Sequence, residues 1–460
     1  MNSLTLEQLV AATGGRLSGA DGSAPLGRAA IDSRDVEPGD VFWALAGRNC
    51  HGIEFVADAF RRGAVGAVVD KPCVAAPAGR WLLAVDDIRQ AMRQAAAWQR
   101  EQFDGSVIAV TGSVGKTTTR QMIHTVLGLR WCGTASPRNY NNELGVPLSM
   151  LAWNARDDYA VLELGASRPG EIAELAALGK PQIGVITRLG DAHLEGFGSR
   201  QAIADAKTEL LEALPADGLA VLNGDDAELV RLRQRSRAKV VLVGRGANCD
   251  LSATNVKSVA GVLSFDVDSA RLHVPVWGRH YLPCALAAYA VGKSYGLGAG
   301  EIGEALAEFE PPPMRCQVSG LGSATLINDS YNSSPAAMRA ALELLRDFDA
   351  PGRRIVVCGD MRELGGESTA LHRELGTDVV TLCGADLLLA CGEYAADVVA
   401  GARAAGMPSG RAVACRNPLD LVPHVRRSLA SGDVVLVKGS RAVALERVIT
   451  ALQTPARRAA

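Results

Sequence analysis

Aromatic residues, an excess of either charge, paired cysteine motifs and long apolar runs are all scarce or missing in this 460-residue sequence. Phe, Trp and Tyr supply only 5% of it, yet hydrophobic residues supply 48%. That apolar fraction, carried mostly by Ala, Val and Leu, excludes disorder for the bulk of the chain. Lys and Arg number 48 against 50 Asp and Glu, a formal charge of -2. No basic excess is available to hold a nucleic acid or an anionic membrane surface. The most apolar stretch, 379–402, is interrupted by Asp386, Glu393 and Asp397, so no membrane-spanning helix is expected. The opening MNSLTLEQLV has no basic segment ahead of an apolar run, and a secretory leader is not expected either. Ten scattered cysteines with no C-x-x-C pair fit reduced thiols, mostly in the core, and a cytoplasmic protein. Internal repeats and low-complexity tracts are absent.

Glycine is plentiful, at 49 of 460 residues. With few aromatics and many Ala and Val, this suits α/β sheets joined by tight strand–helix turns. At roughly 150 residues per domain, the length suggests about three domains. Helical spacing over 4–13 follows Ser3 as N-cap, a buried strand spans 40–47, a helix 54–62 and a strand 64–70. An Ala/Arg/Gln helix over 86–102 could link two domains. Buried strands at 107–110, 160–163, 183–187, 220–223 and 240–243 alternate with helices, as in a parallel sheet. Pro311, Pro312 and Pro313 end that run. Beyond them the alternation restarts, with strands at 324–328, 354–358, 387–390 and 434–437 and helices at 335–348 and 443–450. The expected division is 1–82, 83–312 and 313–460.

The segment T-G-S-V-G-K-T-T-T, from Thr111 to Thr119, carries the clearest chemistry. A strand delivers the chain to a turn in which Gly112 and Gly115 let the amides of Ser113, Val114 and their neighbours converge on phosphate oxygens. Lys116 adds a cation, Thr117 a hydroxyl for Mg²⁺, and Thr118 opens the helix. The G-x-x-x-x-G-K spacing is not met, because position 110 is valine. Other segments surround this loop. Asn142 sits in a polar cluster, N-Y-N-N-E-L-G-V-P, ahead of an apolar helix. Glu163 ends a buried strand, where a lone carboxylate is usually a cap but, beside a phosphate loop, suits Mg²⁺. His193 is the one of seven histidines in a polar glycine loop after a strand end. Lys207, taken alone, is a solvated lysine on a helix face.

In this order, these segments resemble the Mur ligase family, ATP-dependent amide-bond ligases that build the peptide of bacterial peptidoglycan. The resemblance spans nearly the whole chain. Three C-terminal segments, D-S-Y-N-S-S-P from Asp329, G-D-M-R-E-L-G from Gly359 with His372, and K-G-S-R from Lys438, resemble the members that add a D-Ala-D-Ala dipeptide. The resemblance implies three domains: a small N-terminal α/β domain for UDP-MurNAc-tripeptide, a central parallel-sheet phosphate-loop ATPase domain, and a C-terminal Rossmann-like domain that closes with the dipeptide. It implies Lys116, Glu163, His193 and Lys207 as catalytic, with Lys207 carbamylated. Gly112, Ser113, Val114, Gly115, Lys116, Thr117, Thr118, Asn142, Asn223, His280, Arg315 and Asp329 would bind ATP. Thr117 and Glu163 would hold one Mg²⁺ and His193 would help bind a second, and Ser33, Arg34 and Asn332 would bind substrate. The family's G-R-H-N-x-x-N-A-L-A segment is altered at Tyr281 and Cys284, which puts adenine contacts in question. Asn49 and Cys50 likewise depart from the commoner acidic residue near His51.

The implied reaction activates the tripeptide carboxylate as an acyl phosphate, which the dipeptide amine then attacks. Small-molecule substrates, no nucleic acid, no membrane insertion and a monomer are expected. Two other readings stay open: a ligase of the same superfamily with a different acceptor, and a nucleotide-binding protein that has lost catalysis. A folate acceptor fits poorly with the N-terminal segment around Asp32, Ser33 and Arg34.

Overall fold

The strand Ser106–Thr111, covered on both faces, sets the plan of the molecule. In the computed structural model, which describes residues 4–19, 26–47, 50–71 and 75–454, Val107 and Ala109 pack on one side of this strand and Ile108 and Val110 on the other. Successive side chains point to opposite faces, and both faces are covered, so its four middle residues are all apolar. It lies inside a seven-stranded parallel sheet ordered Leu251–Ser252, Lys239–Gly244, Leu219–Asn223, Ile183–Ile186, Ser106–Thr111, Tyr159–Glu163, Gly133–Ala135.

Two further sheets flank it. The N-terminal one orders Arg16–Gly19, Trp81–Ala84, Gly66–Val69, Val41–Trp43 and Ala29–Ala30, parallel except at its first pair. Its Phe42, Trp43 and Leu83 form one continuous apolar cluster with Ala109 and Leu162 of the central sheet. The opposite central face packs on the helix Leu282–Ser294, and that cluster runs on to Met338 of the helix Pro335–Asp347 and to Val356 and Leu436 of a six-stranded C-terminal sheet. This last sheet orders Gln317–Leu321, Ala324–Asp329, Val434–Lys438, Arg354–Gly359, Leu387–Cys391 and Ala412–Cys415, again with one antiparallel pair at the start. The expected α/β architecture with a central parallel sheet is therefore present.

Several local expectations change. Ser3 lies outside the described residues, and the helix Leu6–Thr13 is capped by Thr5 in a capping box with Gln8. The strand expected over 40–47 is only Val41–Trp43, because the chain turns after Ala44 to make an isolated bridge from Ala46 to His51. The last helix is Glu446–Gln453 rather than 443–450, since a 3-10 turn occupies Arg441–Val443. The helix Ile88–Glu101 buries Met92, Ala95 and Ala96, and its Arg100 donates to the carbonyls of Gly179, Phe103 and Lys180. It is a brace locked against the central sheet's helices rather than a solvated tether. Cys284, Cys316, Cys358, Cys383 and Cys391 are buried, whereas Cys50 and Cys132 are exposed; Cys73 and Asn49 lie outside the described residues. Among the described residues no helix is long and apolar enough to cross a membrane.

Candidate active site

Parallel strands bring their carboxyl ends to one edge, and loops at that edge form the crevice where ligands bind in such sheets. Here the edge carries Thr111, Glu163, Thr187 and Asn223. The C-terminal sheet turns its own carboxyl edge, with Asp329 and Lys438, toward the same space. Between them lies a cavity of about 1280 Å³ whose walls include Lys116, Glu163, His193, Arg315, Asp329 and Lys438. Asn142, Asn223, His280 and Asn332 also line it.

The phosphate loop forms the floor. Gly112 has φ +138° and Gly115 φ +91°, and a Cβ at Gly112 would sit 2.2 Å from Thr187 Oγ1. That hydroxyl is fixed, since it donates to the carbonyls of Val114 and Thr111 at 2.5 and 3.2 Å. Ser113 is anchored by its amide to Arg188 O at 2.7 Å and by its hydroxyl to Gly190 O at 2.9 Å. Lys116 Nζ donates to Gly112 O at 2.8 Å. Its pKa is lowered by burial, an effect that nearby Glu163 opposes. We expect Gly112→Ala to lower ATP affinity about tenfold or more, because the added methyl meets a hydroxyl that cannot move and a backbone that a side chain strains. Calorimetric titration with ATP checks this; unchanged affinity would show that the loop need not hold this shape.

Glu163 is 2% exposed. Its Oε1 accepts from Asn141 Nδ2 at 2.8 Å, while Oε2 has no hydrogen-bond partner and stands 3.6 Å from Arg120. A buried carboxylate oxygen is costly to leave without a hydrogen bond, so this atom is suited to ligating a cation. Among the described residues no three His, Cys, Asp or Glu side chains cluster as a ready-made metal cage. Thr117 Oγ1 accepts from Arg315 Nη2 at 3.1 Å, which ties the C-terminal part to the phosphate loop. His193 Nδ1 lies against the carboxylate of Glu363, another bridge between the two sheet edges.

Lys207 corrects the reading from pattern alone. It is 1% exposed, donates to Ala166 O at 3.1 Å and lies 5.4 Å from the Phe197 ring centroid. Burial, reinforced by the charge on Lys116, lowers its pKa to about 7. The signal was in the sequence: Lys207 follows Ile203 by four residues and precedes Leu211 by four, which places it on the buried stripe of the helix Arg200–Ala213.

The Mur ligase middle domain matches residues 110–292 and the Mur ligase, glutamate ligase domain matches 314–441. The chain belongs to the Mur ligase family. It is 35% identical to the UDP-N-acetylmuramoyl-tripeptide–D-alanyl-D-alanine ligase of Escherichia coli, over 98% of this chain and 99% of that one. The ligase of the same name from Bacillus subtilis is 32% identical over 91% and 92%. Among solved structures, MurF of Acinetobacter baumannii superposes with a TM-score of 0.86 at 29% identity, covering 98% of both chains. MurF of Thermotoga maritima in complex with ADP gives 0.79 at 28%, covering 93% and 97%.

In this Mur ligase the two altered positions have structural roles. Tyr281 is buried and donates to Arg315 O at 3.1 Å, and Cys284 packs beneath Gly115. His280 stays on the cavity wall, its Nε2 3.6 Å from Cys316 Sγ, and burial lowers its pKa to about 4. Asp329 takes Cys316 N at 3.2 Å and Lys438 Nζ at 2.7 Å; Lys438 also donates to Asn332 O at 2.9 Å. Asn142 caps the helix Gly145–Met150 by accepting from Leu144 N and Gly145 N, so its neighbour Asn141 is the residue that reaches Glu163. Asn223 accepts from Asp225 N at 3.1 Å in a turn at its strand's end. Thr118 is buried in the first turn of the helix Lys116–Leu127. Ser33 and Arg34 are not among the residues lining this cavity: Ser33 is buried, and exposed Arg34 pairs with Asp32 at 2.6 Å, holding that carboxyl down at about 2. His372 is wholly buried, accepting from Met361 N at 2.9 Å and facing Ser368 O at 2.6 Å, so it shapes the loop carrying Glu363.

Sequence reasoning missed Asn141, Thr187 and Tyr331. The Tyr331 ring centroid is 4.4 Å from the Arg315 guanidinium carbon and 6.0 Å from that of Arg441.

Proposed function

We propose that this Mur ligase joins D-alanyl-D-alanine to UDP-N-acetylmuramoyl-tripeptide with cleavage of ATP to ADP and phosphate, making the pentapeptide precursor of peptidoglycan. What supports this is a phosphate loop facing a second sheet edge across one cavity, in a chain aligned end to end with ligases of that name. In this reading residues 1–82 hold the nucleotide sugar, with Ser33 and Arg34 at its polar part. Residues 83–312 hold ATP, residues 313–460 close with the dipeptide, and Asn332 meets substrate. The enzyme works as a cytoplasmic monomer.

The chemistry follows from charge. A carboxylate is a poor electrophile, so its oxygen first attacks the γ-phosphorus and ADP leaves, giving an acyl phosphate. Two anions must approach, and Lys116, Arg315 and the loop amides offset their repulsion. Thr117 and Glu163 would hold one Mg²⁺ and His193 would help bind a second, and these ions would supply further charge neutralisation around the phosphates. The dipeptide amine then attacks the acyl carbon, phosphate departs and the amine loses a proton, so no side-chain nucleophile is needed. Arg315 and Asp329 approach the nucleotide from the C-terminal side, keeping water from the acyl phosphate. Lys207, as its carbamate, would turn a buried cation into an anion that orients the metal site.

The test is phosphate release from ATP with purified UDP-MurNAc-tripeptide, with and without D-Ala-D-Ala. We expect release to depend on the dipeptide and to match formation of the pentapeptide. Release with a single amino acid in place of the dipeptide would move the chain to another branch of the family, and none with either would favour a protein that has lost catalysis.

A further inference from the structure

Two residues with full side chains adopt left-handed backbone at a single contact between the central and C-terminal parts. His193 has φ +61° and Glu363 φ +65°. Such conformations are disfavoured for residues bearing a Cβ and persist only where surrounding structure imposes them. Both loops are braced. His193 caps the helix Leu194–Phe197, its carbonyl accepting from Gly196 N and Phe197 N. On the other side, Met361 N is held by His372 and Arg362 N by Ser440 Oγ at 2.9 Å each. The loops also join by backbone: Glu195 N donates to Glu363 O at 3.0 Å, and a Cβ at Gly365 would lie 3.3 Å from Glu195 Cα. The carboxylate of Glu363 meets Nδ1 of His193, and both residues line the cavity.

We propose that Glu363 is a positioning residue, which fixes His193 with its proton on Nδ1 and Nε2 free for the metal, and does so only when the C-terminal sheet is docked. A carboxylate on one ring nitrogen sets the tautomer and orientation of the other, the arrangement that supports metal-ligating histidines generally. Because Glu363 follows the strand Arg354–Gly359 of the C-terminal sheet, an open molecule leaves His193 without its orienter. The site at His193 therefore gains its full affinity on closure, which ties metal loading to the arrival of the dipeptide-binding part. This rests on the ligase reading only for the identity of the substrates.

Manganese binding to the full chain, followed by electron paramagnetic resonance with a non-hydrolysable ATP analogue, tests it without turnover. Wild type should bind two Mn²⁺ per chain. Glu363→Ala should weaken the second site by about 10- to 100-fold and leave the first intact, as should His193→Ala. The double variant should be no weaker than either single one. Glu363→Gln, whose amide oxygen still accepts from Nδ1–H, should fall between them, and it carries the comparison if thermal unfolding shows the alanine variant to be poorly folded. Wild-type Mn²⁺ binding in Glu363→Ala, or in His193→Ala, overturns the proposal. Absence of ligation by the wild type would instead sink the functional reading and leave these isotherms meaningful.

Discussion

Lys116→Ala is expected to lower turnover on the order of 10³-fold or more while the protein stays folded. The size follows from what the ammonium does. It is the cation built into the phosphate loop, and during transfer negative charge builds on the oxygen that leaves with ADP while charge stays spread over the equatorial oxygens of the γ-phosphoryl group. In a site walled off by two sheet edges, a fixed positive charge acts at reduced screening and needs no reorganisation. The small effect on the fold also has a cause. Lys116 Nζ bonds only the carbonyl of Gly112 within its own loop. Its loss leaves no buried carboxylate newly without a hydrogen-bond donor, because Glu163 is held by Asn141 and faces Arg120. Phosphate release and thermal unfolding measured on the same preparation check both halves. Turnover within tenfold of wild type would remove Lys116 from the chemistry, and a large drop in unfolding temperature would make its role structural.

Local chemistry was legible in the sequence where one segment carried it. The strand Ser106–Thr111, the glycines and Lys116 announce themselves because a strand with an apolar middle, a left-handed turn and a helix start follow one another within about two dozen residues. Glu163 was legible for the same reason, as a carboxylate ending a buried strand. The antiparallel strands Thr254–Val259, Val262–Val267 and Ala270–Val274 were not: the first is mostly exposed, and the other two bury only alternate residues, such as Leu263, Phe265 and Leu272, so they lack the continuous apolar run of the parallel strands. Nor were strands of two or three residues, such as Ala29–Ala30 and Gly133–Ala135, which are too short to show a period. Neighbouring asparagines defeat sequence reasoning differently. Asn141 and Asn142 carry the same chemistry, and only the direction of the chain before the helix Gly145–Met150 decides that one holds Glu163 and the other a cap. The bridges Arg315 to Thr117 and Glu363 to His193 join distant segments, and they depend on how two sheets dock. No local pattern encodes that.

Lys207→Ala is expected to abolish measurable turnover, with partial recovery when short carboxylic acids are added. The argument starts from burial. An ammonium this enclosed loses hydration, and its pKa falls to about 7, so near neutral pH a large share of the amine is unprotonated. A neutral amine is the form that adds to CO₂, giving a carbamate and releasing a proton. Only an uncharged lysine or its carbamate would leave the site free of a second cation competing with Mg²⁺. The direction with pH is fixed by the same shift. Below about pH 7 the amine is protonated and the carbamate should be lost; above it the carbamate should accumulate. For the unmodified chain, the unfolded state binds the extra proton between about pH 7 and the ordinary lysine range, so this group's contribution to stability rises with pH across that window. Nuclear magnetic resonance with ¹³C-bicarbonate should show a carbamate signal at pH 8 that fades by pH 6 and is absent in Lys207→Ala. Full turnover of that variant in bicarbonate-free buffer would refute the role. A persistent carbamate signal in it would place the modification on another amine. If carboxylates restore turnover while the signal behaves as expected, the anion created at position 207 is what the reaction requires.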